Sequence, residues 1–186
     1  MKIRIKNYLI FISLFVIFTA QAQNVGLNVG DLVKPFSAKS DNGDIWESTD
    51  VIGKKNLVVY FYPAAMTGGC TKQACAYRDS KDELSSLDAE VVGISGDEVK
   101  NLELFKSVHN LNFTLLSDAD GNIANEFGVP VRKGEKSIER EVSGVQHILS
   151  RDVTTARWTF IIDKKGKLVY KSTKVNAAED SKAVVE

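Results

Sequence analysis

The chain has 186 residues, 44% hydrophobic and 26% charged, which is enough for one domain with a real core and short for two. Basic and acidic residues balance at 24 each, so nothing in the charge supports a nucleic-acid partner. Glycine and proline are not in excess, which argues against a disordered or fibrous chain.

Residues 1–22 differ in kind from the rest. Lys2, Arg4 and Lys6 form a basic start, Tyr8 to Phe18 is almost wholly apolar, and Ala20-Gln21-Ala22 has the small-x-small pattern of a cleavage site. The segment reads as a secretory signal peptide removed after Ala22, leaving residues 23–186 as one domain exported to the periplasm. An uncleaved anchor is the alternative, but an apolar run of about 11 residues is well short of the roughly 20 that span a bilayer. No cysteine stands at the cleavage site, so a lipid anchor is not indicated.

Residues 23–31 read as an entry loop. Pro35 to Ser40 and Ile45 to Glu47 are short strand candidates, and Asp41-Asn42-Gly43-Asp44 between them suits a tight hairpin. Asn56 to Tyr62 is continuously apolar, β-branched and aromatic, as in a strand buried on both faces. One helix is expected from Gly69 to Leu87, and a second buried strand from Glu90 to Ser95. Asp97 is placed to cap a helix over Glu98 to Asn110, whose Val99, Leu102, Phe105 and Val108 recur at helical spacing. Phe113 to Leu116 reads as a strand, Asp118 to Gly121 as a turn and Asn122 to Phe127 as a short helix. Val131 to Ala156 is long, charged and weakly periodic, and reads as an inserted loop or hairpin. Two strands, Arg157 to Asp163 and Leu168 to Lys171, and a terminal helix over Ala177 to Val184 complete the chain. Strands alternating with helices and then a closing hairpin give an α/β architecture with a mixed sheet flanked by helices.

Cys70 and Cys75 are the only cysteines. In an oxidising compartment such a pair is usually a structural disulfide. The local sequence points elsewhere. The buried strand leads through a loop to Gly68-Gly69-Cys70, so a thiol is delivered to the start of a helix, where unpaired N–H groups favour an anion. A thiol attacks as its thiolate. Thr67 carries a hydroxyl near enough to meet the sulfur or an incoming oxygen, although it could equally be a helix cap. Five residues along an ideal helix separate the Cα atoms by roughly 8.6 Å, beyond the reach of a disulfide. A permanent bridge would forbid the helix, so the pair fits a cycle in which one turn unwinds and rewinds.

Pro63-x-x-x-Thr67-x-x-Cys70, after Val58-Val59-Tyr60-Phe61-Tyr62, resembles the active-site signature of the peroxiredoxins. Cys70-Thr71-Lys72-Gln73-Ala74-Cys75-Ala76-Tyr77-Arg78-Asp79 is similar to the bacterioferritin comigratory protein, or Q type, subgroup. The similarity continues through Gly93 to Asp97, Leu115 to Gly121 and Phe127 to Val129, and ends at Arg157 to Lys167. It implies a thioredoxin-like fold and reduction of hydrogen peroxide or organic hydroperoxides. Cys70 would become a sulfenic acid, Cys75 would condense with it to a disulfide, and a thioredoxin-like dithiol would restore both. Thr67 would hydrogen-bond to the peroxide, Pro63 would shield the thiolate from water, and Arg157 would favour the thiolate and polarise the O–O bond. No cofactor or metal is expected, and the chain is expected to be a monomer or weak homodimer. Gly68 departs from it, standing where the subgroup often has proline. So do the long 131–156 stretch and the signal segment.

Other readings stay in view: an exported thiol–disulfide oxidoreductase of the same fold, which would normally separate its cysteines by two residues, or a secreted binding domain with a structural disulfide. His109 and His147, with two cysteines, lack metal-ligand spacing. Asp152 is a candidate ion-pair partner for Arg157.

Overall fold

The computed structural model describes residues 26–186, so the signal segment lies outside the described residues. Seven strands form one mixed sheet: β1 (Ser37–Ser40), β2 (Ile45–Glu47), β3 (Asn56–Phe61), β4 (Ala89–Ser95), β5 (Thr114–Ser117), β8 (Trp158–Ile162) and β9 (Leu168–Ser172). Their spatial order is β2-β1-β5-β4-β3-β8-β9. β3 runs parallel to β4 on one side and antiparallel to β8 on the other. The intervening β6 (Val131–Val142) and β7 (Val145–Thr155) form a separate two-stranded ribbon.

The position of β3 follows from its sequence. Side chains alternate across a strand, and both faces of Leu57 to Tyr62 are apolar. Leu57, Val59 and Phe61 enter one core with Val92, Ile94, Leu116, Phe160 and Phe127. Val58, Tyr60 and Tyr62 enter the other, with Cys70, Ala74, Tyr77, Leu102 and Phe105. The first core is closed by α4 (Asn122–Phe127) and the chain around Val33 and Phe36. The second is closed by α1 (Gly68–Asp79), α3 (Val99–His109) and α5 (Asp180–Val185).

Two helix expectations are corrected. The helix expected over Gly69 to Leu87 breaks at Ser80, which leaves helical geometry at φ −86° and ψ 16°, so α1 is followed by a separate α2 (Lys81–Ser86). The Ser80 hydroxyl donates to Ser181 of α5, a contact that no local pattern reveals. Asp97 does not cap α3. Glu98 occupies that position without a side-chain bond, while the Asp97 carboxylate points inward and is fully buried.

The 131–156 stretch is a hairpin, closed by Ser143 and Gly144 at φ 52° and 80°. Two successive positive φ values match the right-handed twist of the ribbon. From Leu149 to the end of β7 every second residue is buried, namely Leu149, Arg151, Val153 and Thr155. An arginine and a threonine in the inward phase erase the apolar alternation that would have marked the strand.

The ribbon seats directly on the end of β4. A Cβ on Gly96 would lie 2.2 Å from the carbonyl oxygen of Val153, a backbone atom that has nowhere to move. Gly96→Ala is therefore expected to destabilise the fold by about 1–3 kcal/mol, the usual range for overpacking, in a urea unfolding measurement.

Candidate active site

At the end of β3 the chain turns through Pro63, Ala64, Ala65 and Met66. Met66 has φ 58°, an uncommon conformation for a residue with a side chain. Thr67 is then extended, at φ −104° and ψ 148°, and serves as the N-cap position of α1. The first hydrogen bond of the helix runs from Thr71 N–H to the Thr67 carbonyl at 2.8 Å. The N–H groups before it have no carbonyl one turn back, so the helix presents donors and the positive end of its dipole around Cys70. Cys70 is 1% exposed, and Cys75 is half-buried further along α1; both are free thiols.

Arg157 precedes β8 and reaches back to the helix start. Its Nη2 donates to Cys70 Sγ at 3.2 Å. Its Nη1 donates to Gln73 Oε1. A Cβ on Gly69 would lie 3.4 Å from Arg157 Nη2, so this glycine lets the guanidinium rest close against the helix. Asp152, the partner expected for Arg157, is exposed, and the acceptor that holds the guanidinium is Gln73 instead.

The other expected site residues fall around this pair. The Thr67 hydroxyl donates to the Ala64 carbonyl at 2.9 Å, which directs its proton away from the sulfur and leaves its oxygen free to accept. It makes no capping bond to the helix. Pro63 is half-buried at the entrance of the loop. Tyr60 and Tyr62 lie in the same core as Cys70. Burial pushes both phenols well above their usual range, and the apolar surroundings that do so also exclude water from the back of the sulfur.

Four residues that the local sequence did not place at the site hold the loop: Asp97, Arg151, Arg140 and Thr155. Asp97 Oδ2 accepts from Ala65 N–H at 2.8 Å and from the Ser95 hydroxyl at 3.0 Å. Desolvation by burial raises the Asp97 carboxyl, partly countered by those hydrogen bonds. Arg151 of β7 stands 3.8 Å from its other oxygen, an ion pair without a hydrogen bond. Arg140 of β6 donates from Nε to the Met66 carbonyl at 2.8 Å, and the Thr155 hydroxyl donates to the Tyr62 carbonyl at 3.0 Å. The long ribbon is thus a clamp on the backbone leading to Cys70. Its residues are remote in sequence from the cysteines, so local spacing carried no signal for them.

Gly68 opens α1 with no atom within 4 Å of an added Cβ. Proline fits the first helical position, where the N–H has no helical partner, and Thr67 already has the extended backbone that a following proline requires. Gly68→Pro is expected to stabilise the reduced protein by about 0.5–1 kcal/mol by restricting the unfolded chain, read as an increased urea midpoint at unchanged slope.

Comparison with known proteins gives the family and the fold. Residues 29–171 match the AhpC/TSA family. Peroxiredoxin Bcp of Escherichia coli (strain K12) is 41% identical over 143 residues, which cover 76% of this chain and 83% of that protein. Peroxiredoxin Bcp of Bacillus subtilis (strain 168) is 35% identical over 153 residues, covering 82% and 89%. The crystal structure of peroxidoxin BcpB from Mycobacterium tuberculosis superimposes with a TM-score of 0.70 at 32% identity, over 84% of this chain and 93% of that one. These neighbours make the fold thioredoxin-like. On its sequence and on its structure, the chain belongs to the AhpC/TSA family and is a peroxiredoxin of the Bcp and Q-type group.

Proposed function

We propose that this peroxidase reduces hydrogen peroxide and organic hydroperoxides through Cys70, with Cys75 as the resolving thiol. The observation that carries the reading is the Arg157 guanidinium donating to a buried sulfur in the first turn of a helix. A charge-assisted donor and a helix N-terminus both favour an anion at that point.

The Cys70 thiolate attacks one peroxide oxygen, the S–O bond forms as the O–O bond breaks, and the other oxygen leaves with a proton as water or alcohol. Arg157 and the unpaired N–H groups lie where negative charge develops on the oxygens. Thr67, with its oxygen free to accept, receives the hydrogen bond of the peroxide O–H. Pro63, Tyr60 and Tyr62 keep bulk water from the sulfur. The Cys75 thiolate then attacks the sulfenic sulfur, releasing the oxygen as water and leaving a disulfide. Both cysteines lie on α1, so that step opens the helix between them. A thioredoxin-like dithiol restores both thiols.

Intact mass after one equivalent of peroxide tests the cycle. The reduced protein is expected to lose about 2 Da on forming the disulfide, and Cys75→Ser to gain about 16 Da as the sulfenic acid. Cys70→Ser is expected to abolish peroxide consumption; retained turnover would remove Cys70 as the nucleophile. Arg157→Ala is expected to lower the peroxide rate constant by about 100-fold, the scale of losing one donor to developing charge.

Export is also proposed, on the basic start, apolar run and Ala20-Gln21-Ala22 pattern. The expected product from the native host is a periplasmic protein beginning at Gln23. Recovery of an uncut chain in the cytosol would overturn this.

A further inference from the structure

Asp180 opens α5, more than a hundred residues after the cysteines, and is 4% exposed. A single oxygen of its carboxylate, Oδ2, accepts three side-chain hydrogen bonds. They come from Gln73 Nε2 at 2.7 Å, the Tyr77 hydroxyl at 2.7 Å and the Thr159 hydroxyl at 2.8 Å. Gln73 and Tyr77 belong to α1, which carries Cys70. Thr159 lies on β8, two residues after Arg157.

The bond to Asp180 decides how Gln73 is turned. With its amide nitrogen on the carboxylate, its amide oxygen faces Arg157 and accepts from Nη1. The other guanidinium nitrogen, Nη2, then meets Cys70 Sγ at 3.2 Å. A continuous run of hydrogen bonds links the C-terminal helix to the sulfur. Without an acceptor at Asp180, the Gln73 amide loses the contact that distinguishes its two ends, and Arg157 loses a fixed acceptor.

The same carboxylate acts on the helix. Gln73 and Tyr77 lie two residues before and two residues after Cys75. Holding both to one oxygen of α5 opposes any unwinding of the turn between Cys70 and Cys75.

We infer that Asp180 is a positioning residue with two opposed effects on the cycle. Through Gln73 it holds Arg157 against Cys70 and so quickens attack on peroxide. Through Gln73 and Tyr77 it keeps α1 wound and so slows disulfide formation. Asp180 touches neither peroxide nor sulfur and exchanges no atom with them. The second effect rests on the proposed resolving role of Cys75.

Stopped-flow tryptophan fluorescence of the reduced full-length protein mixed with excess hydrogen peroxide separates the two steps. One phase scales with peroxide concentration, and a second is independent of it. Asp180→Leu, which removes the acceptor, is expected to slow the first phase about tenfold, since Arg157 is misplaced and not removed. It is expected to quicken the second about fivefold, the worth of roughly one net hydrogen bond. In a Gln73→Met background, Asp180→Leu should change the first phase by less than twofold, because the link is already cut. Should Asp180→Leu fail to fold, Gln73→Met alone severs the same link and carries the same expectation for both phases. A lowered melting temperature with both rate constants unchanged overturns the inference and leaves Asp180 a structural residue. A second phase that persists in Cys75→Ser overturns the resolver instead, while the first phase still decides whether Asp180 positions Arg157.

Discussion

The contact between the Arg157 guanidinium and the Cys70 sulfur is the interaction on which the rest of this structure depends. A buried thiol is ordinarily an inert packing residue. Here it sits in an apolar core and still meets a positive charge at 3.2 Å. The two residues are 87 positions apart, and the sheet joins them. β3 leads into the loop before Cys70, and β8 begins just after Arg157. Their antiparallel register pairs Phe61 with Trp158, which sets the end of one strand beside the start of the other. A slip of one residue would turn Trp158, Phe160 and Ile162 to the opposite face and carry Arg157 away from the helix.

A second constraint follows from the first. The reactive geometry needs α1 formed to its first turn, and a bond between Cys70 and Cys75 needs that turn open. The structure holds the region from two sides. On the loop side, the β6–β7 ribbon grips the backbone through Arg140, Thr155 and the Asp97–Arg151 pair, and keeps Met66 at its positive φ. On the helix side, α5 grips Gln73 and Tyr77 through Asp180. The loop clamp consists mainly of bonds to backbone, which do not depend on whether α1 is wound. The α5 clamp consists of side chains on α1 itself, and it is the one that helix opening must break.

Much of this arrangement was legible in the chain. β3 announced itself by apolar and β-branched residues on both faces, and the Gly-Gly-Cys helix start by its position after that strand. Arg157 was legible only through the pattern of residues around it. The break at Ser80 was not legible, and the Ser80 hydroxyl meets Ser181 on α5, a hundred residues away in the chain. Asp97 looked like a cap because it precedes an amphipathic helix. In the fold, Ser95 and the Ala65 backbone hold one of its oxygens in a buried site instead. The ribbon was legible only as a loop or hairpin, because Arg151 puts a charge in the inward phase, where it stands beside the buried Asp97.

By itself the sequence determined most of the elements, the buried central strand, the placement of a thiol at a helix start and the mismatch between a five-residue spacing and a disulfide. Each of these depends on backbone periodicity and on neighbours within a few residues. The tertiary structure alone decided which side chains surround the sulfur: Gln73 as the acceptor for Arg157, Asp180 as the acceptor for Gln73, and Arg140 on the Met66 carbonyl. Those contacts join residues brought together by strand register and helix docking, and hydrogen bonds are decided over a few ångströms of space, whatever the distance along the chain.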